Sequence, residues 1–480
     1  MGSSNAHVIQ SRQDIINFVN SNPVTSKSWK IILVALGGIF VDAYDFTSLG
    51  IGADQLKEQF NLSPAGLGSL TAIMAFGALL GATVGGYYTD KFGRNKMFLI
   101  DLFFMVFAAL GAALATDLVW LFIFRFLMGV GVGLDVPVAL SFIAEFSNLK
   151  KKGQYVNLWC PLWYVAATVT GLVVLPFYLL GQHEDIWRWS VGFGAVAALI
   201  VLILRYRYMD ESPMWAAHHL PLKEAVKVLE KTYDIQVTVA KNAKEEPLSR
   251  SKKLSYKAIF QGKYRARTFL ASIITATQSM QYFAVGFYIP TISTLIFGKG
   301  MIYAIIGTLF FNLFGIIGGF TQSRLTEQVG IRKLAITGYT ICSLSLVLMG
   351  LTGDTHFIAL PILFIALFIF GQSFGPGAQG MTMATLSYPT ELRGLGSGWG
   401  QGTTRIGSIL GFYLFPVVLS IGGIYTTFLV LTIVPVIGLI ATILIKWEPI
   451  GTDVETDVEK EEEQGFESNK SFSEKSEVYH

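Results

Sequence analysis

Charge is scarce in this sequence: only 14% of its 480 residues are Asp, Glu, Lys or Arg, against about 25% in a soluble domain. That shortage excludes an ordinary soluble enzyme. Cysteine is nearly absent too, and Cys160 and Cys342 stand far apart inside apolar runs, so neither a disulfide framework nor a cysteine metal site is available. The six histidines are scattered. With no His/Cys/Glu cluster, Ser-His-Asp set or Walker loop, the chain offers no enzymatic chemistry and no cofactor or metal is expected. The balance of 36 basic against 33 acidic residues gives no reason to expect a nucleic-acid partner. The first thirty residues are polar (Ser3, Asn5, Gln10, Arg12, Asp14) and lack the apolar core of a secretory signal. The N-terminus is therefore expected to be retained.

What the chain has in abundance is apolar length. Hydrophobic residues make up 52%, in runs long enough to cross a bilayer core of ~30 Å as helices. Twelve runs are bounded by charge, Gly or Pro, at about 30–52, 65–88, 97–115, 119–145, 154–180, 187–207, 266–295, 301–322, 334–352, 356–385, 398–420 and 424–445. None alternates with the period of a barrel strand, so an all-α integral membrane protein of twelve transmembrane helices is expected. Lys91, Arg94, Lys96, Lys150, Lys151, Lys152, Arg324, Arg332 and Lys333 all fall after even-numbered spans. This asymmetry places both termini in the cytoplasm. The chain divides into an N-terminal segment (1–29), a six-helix bundle (30–207), a Lys-rich cytoplasmic linker (208–265), a second bundle (266–446) and an acidic tail (447–480) expected to be disordered. In the linker, Leu222, Ala225, Val226 and Leu229 form an amphipathic stripe.

The two bundles echo each other. Asp90-Lys91-Phe92-Gly93-Arg94-Asn95-Lys96 after the second span matches Glu327-Gln328-Val329-Gly330-Ile331-Arg332-Lys333 after the eighth in acid, Gly and terminal Lys. Glu145 stands eight residues before Gly153, as Leu386 does before Gly394. A duplicated six-helix unit permits rocking about a central site.

Gly86 followed by Asp90-Lys91-Phe92-Gly93-Arg94, with Arg125 leading into Gly129, Gly131 and Gly133, resembles the major facilitator superfamily. The resemblance implies a two-bundle, alternating-access transporter. Asp42-Ala43-Tyr44-Asp45, the trio Asp135, Pro137 and Glu145, and Phe374-Gly375-Pro376 ahead of Pro389 are similar to proton-coupled phosphate symporters. Val136, Trp163, Ala284 and Gly377 depart from that group's phosphate contacts. Gln278 and Pro290 fit sugar porters, whereas Phe283 and Cys160 do not. Gly402-Thr403-Thr404-Arg405-Ile406-Gly407 resembles organic-anion and aromatic-acid symporters, whose arginine there meets a carboxylate.

A charge at the bilayer centre costs about 2.5–3.5 kcal/mol on insertion scales, so each one retained calls for a use. Asp42 and Asp45 share adjoining positions in the first span, Arg125 sits in the fourth at the depth of Asp45, and Asp135 lies deeper in the fourth. Asp45 with Arg125, then Asp135 and Asp42, are expected to carry proton coupling by alternating between protonation and ion pairing. A static ion pair is the alternative. Arg405 stands near mid-depth in the eleventh span, and spans seven to twelve hold no interior acid for it. Its countercharge is either a carboxylate of the first or fourth span or the cargo itself. Gln278, Gln281 and Tyr282 of the seventh span and Trp159 and Trp163 of the fifth complete the expected substrate site.

Gly77, Gly81 and Gly85, with Gly129 and Gly133, read as packing stripes. Superfamily resemblance gives Asp90, Gly93 and Arg94 a gating role, with Glu145, Glu327 and Arg393 at equivalent edges of the same cytoplasmic clasp. The function expected is secondary active transport in the cytoplasmic or plasma membrane by a monomer, with proton-coupled symport of a small organic anion. A sugar or polyol symporter, a phosphate symporter and a non-transporting nutrient sensor are the alternatives.

Overall fold

A computed structural model describes residues 7–455 except 52, 182–184, 241–242, 244–254, 291, 294–300 and 353–358. Among the described residues ten helices are long and apolar enough to cross a membrane, from Ser26–Gly50 to Val417–Leu444. Two of the twelve expected crossings miss that threshold because of their composition. The seventh, Tyr264–Gln281, holds Arg265, Arg267, Thr275, Gln278 and Gln281 and runs on into a π-helical turn, Tyr282–Gly286. The eleventh is the first limb of Thr390–Leu431, glycine-rich around Arg405 and divided from the second limb at Gly423, whose φ is +71°. The twelve crossings form two bundles of six.

Local chemistry sets the helix ends. Ser63 and Asp117 turn their side-chain oxygens onto the free N–H groups of Gly66 and of Val119 and Trp120, satisfying donors that have no partner inside the helix. The fifth span breaks between Lys152–Val156 and Trp159–Leu179. The tenth breaks between Ala359–Phe374 and Pro376–Leu386, where proline withholds an N–H. Both interruptions border the centre of the molecule.

The glycine stripes do pack. A methyl group on Gly77, Gly81, Gly129 or Gly133 would strike the backbone of Phe126, Val130, Met74 or Ala78, so the second and fourth spans touch main chain to main chain. Gly86 meets Gly394 and Gly398 of the eleventh span in the same manner, which brings the two bundles together. Phe76, Phe103, Phe107, Ile203 and Leu410 are exposed, while Asp42, Asp45, Asp101, Arg125, Asp135, Arg205 and Arg405 are buried. That inversion of a soluble core suits a lipid-facing exterior.

On the inner face, defined here by the Lys-rich loops and both termini, the chain departs from the expected division. The N-terminal segment and the linker form one subdomain. Strand His7–Ile9 lies parallel to Val237–Val239, and Ile15, Val19, Met214, Ala225, Leu229 and Tyr233 share a core. The tail is also corrected at its start: Glu448 and Glu455 are engaged by the inner face rather than solvated. The rest of the acidic tail, 456–480, lies outside the described residues.

Candidate functional site

A cavity opens between the bundles, lined by residues of both. Arg405, Gln278, Tyr282, Trp159 and Trp163 line it as the sequence anticipates, joined by Gln372, Gln401 and Thr404. Gln281 does not line it. Three residues on from Gln278, its side chain turns into the second bundle and donates to Gln372; Gln372 in turn donates to Gln278 Oε1 at 3.1 Å. The amides thus hold one another and orient Gln278 at the wall.

Arg405 is 1% exposed. Its guanidinium stands 4.5 Å from the Phe46 ring centroid, a cation–π contact, and its Nε and Nη1 have no hydrogen-bond partner among the described residues. Asp42 lies one turn from Phe46 on the first span and is likewise without a partner on either carboxylate oxygen among the described residues. Asp42 is the charged neighbour of Arg405.

Asp135 is held by a residue that sequence reasoning missed. Arg205 of the sixth span reaches Asp135 at 2.6 Å and Asp101 of the third at 3.2 Å, and donates to the Ala35 carbonyl at 3.0 Å. The signal was available: Asp101 and Arg205 are opposite charges at the inner ends of two apolar runs. The Asp45–Arg125 pair takes a different form from the expected one. Arg125 Nη1 donates to the backbone carbonyl of Asp45 at 3.1 Å, and both Asp45 carboxylate oxygens lack hydrogen-bond partners among the described residues. The carboxylate points toward Gly194 of the sixth span, where a Cβ would collide with it. The two residues remain close without a direct side-chain bond.

Toward the outer face lies a second space, bordered by Thr47, Gly50, Pro290, Thr308 and Asn312. Trp163, Tyr282 and Phe283 line both spaces. The indole N–H of Trp163 donates to the Tyr282 hydroxyl at 3.1 Å, making a side-chain partition between them.

The inner face is shut by contacts that repeat with the pseudo-symmetry. Asp90 accepts from the N–H groups of Gly394 and Leu395 at 3.1 and 2.9 Å, just inside the inner end of the eleventh span; Glu327 accepts from Gln154 at 3.0 Å, capping the fifth. Each acid therefore grips the opposite bundle. Glu211 caps the third span through Arg94 and Asn95 at 2.9 and 3.2 Å, and Glu448 caps the ninth through Ile331 and Arg332 at 3.1 and 2.9 Å. Gly93 and Gly330 sit just before those starts at φ +96° and +90°, where any side chain is strained and a Cβ would fall on the Glu211 or Glu448 carboxylate.

Arg94 pairs with Asp90 at 3.0 Å and Glu145 at 2.7 Å, while Arg393 reaches Glu145 at 3.3 Å and Glu455 at 2.6 Å. The expected clasp residues thus come together, with Glu327 forming the mirrored contact. Glu211, Glu448 and Glu455 are additions that only the fold reveals. Burial alone would lift the Glu455 carboxyl, but Arg393, His218, Lys152 and the Thr390 N–H outweigh it and hold it at about 2. Burial raises Glu211. His219, stacked on Trp215, is pushed down to about 4 by burial and then by Arg94.

Comparison with known proteins agrees with this architecture. The family model for sugar (and other) transporters matches residues 24–456. The putative metabolite transport protein YaaU of Escherichia coli K12 is 28% identical over 86% of this chain and 90% of its own length. The niacin transporter NiaP of Acinetobacter baylyi is 25% identical over 82% and 88%, and the 4-hydroxybenzoate transporter PcaK of Pseudomonas aeruginosa 23% over 91% and 96%. Among solved structures, the proton:xylose symporter XylE bound to 6-bromo-6-deoxy-D-glucose superposes with a TM-score of 0.74, at 18% identity, over 90% of this chain and 98% of its own.

Proposed function

The chain belongs to the sugar (and other) transporter family of the major facilitator superfamily, and from that premise we propose that it is a proton symporter for a small organic anion, best matched by a ring-bearing carboxylate. It is a secondary transporter of metabolites, not an enzyme. The observation that carries the finer reading is Arg405: a buried guanidinium on the cavity wall whose Nε and Nη1 have no hydrogen-bond partner among the described residues. A carboxylate supplies two acceptors in the fork geometry guanidinium prefers. Trp159, Trp163 and Tyr282 offer flat apolar surface beside it, and Gln278 offers an amide.

Protons belong to the first bundle in this reading. Asp42, Asp45 and Asp135 are its coupling carboxylates, with Arg125 beside Asp45. Two relatives named for niacin and 4-hydroxybenzoate, both aromatic acids, agree with the cargo class. Two others are named inner-membrane proteins, in keeping with the cytoplasmic membrane. A hexose or polyol would bond the amides but offer no anion to the Nε and Nη1 of Arg405. The test is uptake into proteoliposomes bearing an inward proton gradient, with benzoate and nicotinate set against xylose and glucose. Acid uptake abolished by Arg405→Ala supports the reading; hexose uptake with the acids excluded replaces it.

A further inference from the structure

Among the described residues, the bilayer interior contains four buried carboxylates, Asp42, Asp45, Asp101 and Asp135, and three buried guanidiniums, Arg125, Arg205 and Arg405. Arg205 is committed to Asp101 and Asp135, and Arg125 is bonded to the Asp45 backbone. Asp42 of the first bundle and Arg405 of the second are the two left over. The geometry agrees from two sides: Arg405 lies on the face of Phe46, one turn beyond Asp42 on the same helix, and both groups keep polar atoms without hydrogen-bond partners among the described residues. No direct ion pair joins the two among the described residues, so Arg405 is not locked.

We propose that Asp42 serves as an internal stand-in for the cargo's carboxylate, neutralising Arg405 in the empty carrier and giving way when an organic anion arrives, so that Asp42 takes up a proton in the same step. The inference rests on the anionic-cargo reading above. Once displaced, Asp42 faces Asp135 from the fourth span and Asp45 from its own, with Arg205 of the sixth already engaged. A carboxylate without a countercharge in a water-poor interior is neutralised. The guanidinium exchanges one carboxylate for another, no covalent bond changes, and the proton comes from the open aqueous side. An anion alone would add charge to the interior, and a proton alone would strip Arg405 of its partner. Each ligand therefore requires the other, which is symport without leak.

The test uses the purified full-length protein. Calorimetric titration with benzoate and nicotinate, repeated in buffers of different ionisation enthalpy, reads protons taken up per bound anion. Wild type is expected to take up about one. Asp42→Asn, which removes the competing carboxylate, is expected to bind the acids more tightly at neutral pH, take up no proton and bind independently of pH near neutrality; proton uptake equal to wild type overturns the proposal. A ligand-free Tm cycle with Asp42→Asn, Arg405→Gln and the double variant checks the resting pair. Recovery in the double variant of the Tm lost in Arg405→Gln supports it, and additive losses overturn the stand-in role alone. Failure of both acids to bind wild type sinks the anionic cargo and the displacement with it.

Discussion

The carboxylate of Asp90 and the backbone N–H of Leu395 are 2.9 Å apart across the seam between the two bundles. An acid from one half thus bonds the backbone of a helix in the other, and Glu327 does the same in reverse at Gln154. Opening the inner face breaks both contacts at once. Hydrogen bonds to charged groups contribute about 1.5–3 kcal/mol each, enough to hold the closed state until cargo binding or release offsets them.

Replacing Asp90 by Asn keeps the shape and removes the charge. The inner-open population is expected to rise about tenfold. Distance distributions between spin labels on the inner ends of the second and eleventh spans will register the change, and an unaltered distribution argues against a gating role for this contact.

Alanine at Gly93 or at Gly330 is expected to lower the Tm of the purified protein. Left-handed backbone costs a non-glycine residue about 1–2 kcal/mol, and the added methyl group displaces Glu211 or Glu448 from its helix N-terminus. Alanine at Gly181, also at positive φ (+77°) but with nothing near its Cβ, should cost less, and an equal loss there would point to backbone strain alone.

Truncation at two neighbouring points separates the roles of the tail. Ending the chain after Gly451 removes Glu455, the partner of Arg393 and Thr390, and is expected to reduce both Tm and uptake. Ending it a few residues beyond Glu455 should leave both near wild type. Identical behaviour of the two truncations would return Glu455 to the status of a solvated acid.

Low pH is expected to loosen the inner face through His219. Its folded-state value of about 4 lies below the ordinary ~6.5, so its neutral burial contributes fully above ~6.5 and is lost as the pH falls toward 4. Glu455, at about 2, keeps its charge throughout that interval. The drop in Tm from pH 7 to pH 5 should therefore be smaller in His219→Gln than in wild type, and equal drops would assign the effect elsewhere.

Asp45→Asn is expected to abolish gradient-driven uptake while sparing counterflow exchange. Gradient-driven uptake at the wild-type rate would remove Asp45 from the coupling pathway.

Periodicity and charge made most of this architecture legible. The apolar runs locate the twelve crossings, and the interior arginine of the second half, Arg405, stands on the cavity wall. Tertiary pairing hid the rest. The three-residue strands at His7–Ile9 and Val237–Val239 are too short for any local pattern and pair across more than two hundred residues. Glu455 looks like one more tail acid until the fold brings it to Arg393. For Asp45 and Arg125, depth matching along two antiparallel helices brought the residues together correctly, but it carries no information on which way a carboxylate turns. The space left by Gly194 decided that.

The bond between Trp163 and Tyr282 gives the transporter two doors of unequal weight. The outer one is a pair of packed aromatic rings joined by a single hydrogen bond, opened by moving side chains, whereas the inner one requires collective displacement of whole bundles over microseconds to milliseconds. A solute reaching the cavity from outside would have to displace only side chains, so it is screened before the heavier door commits.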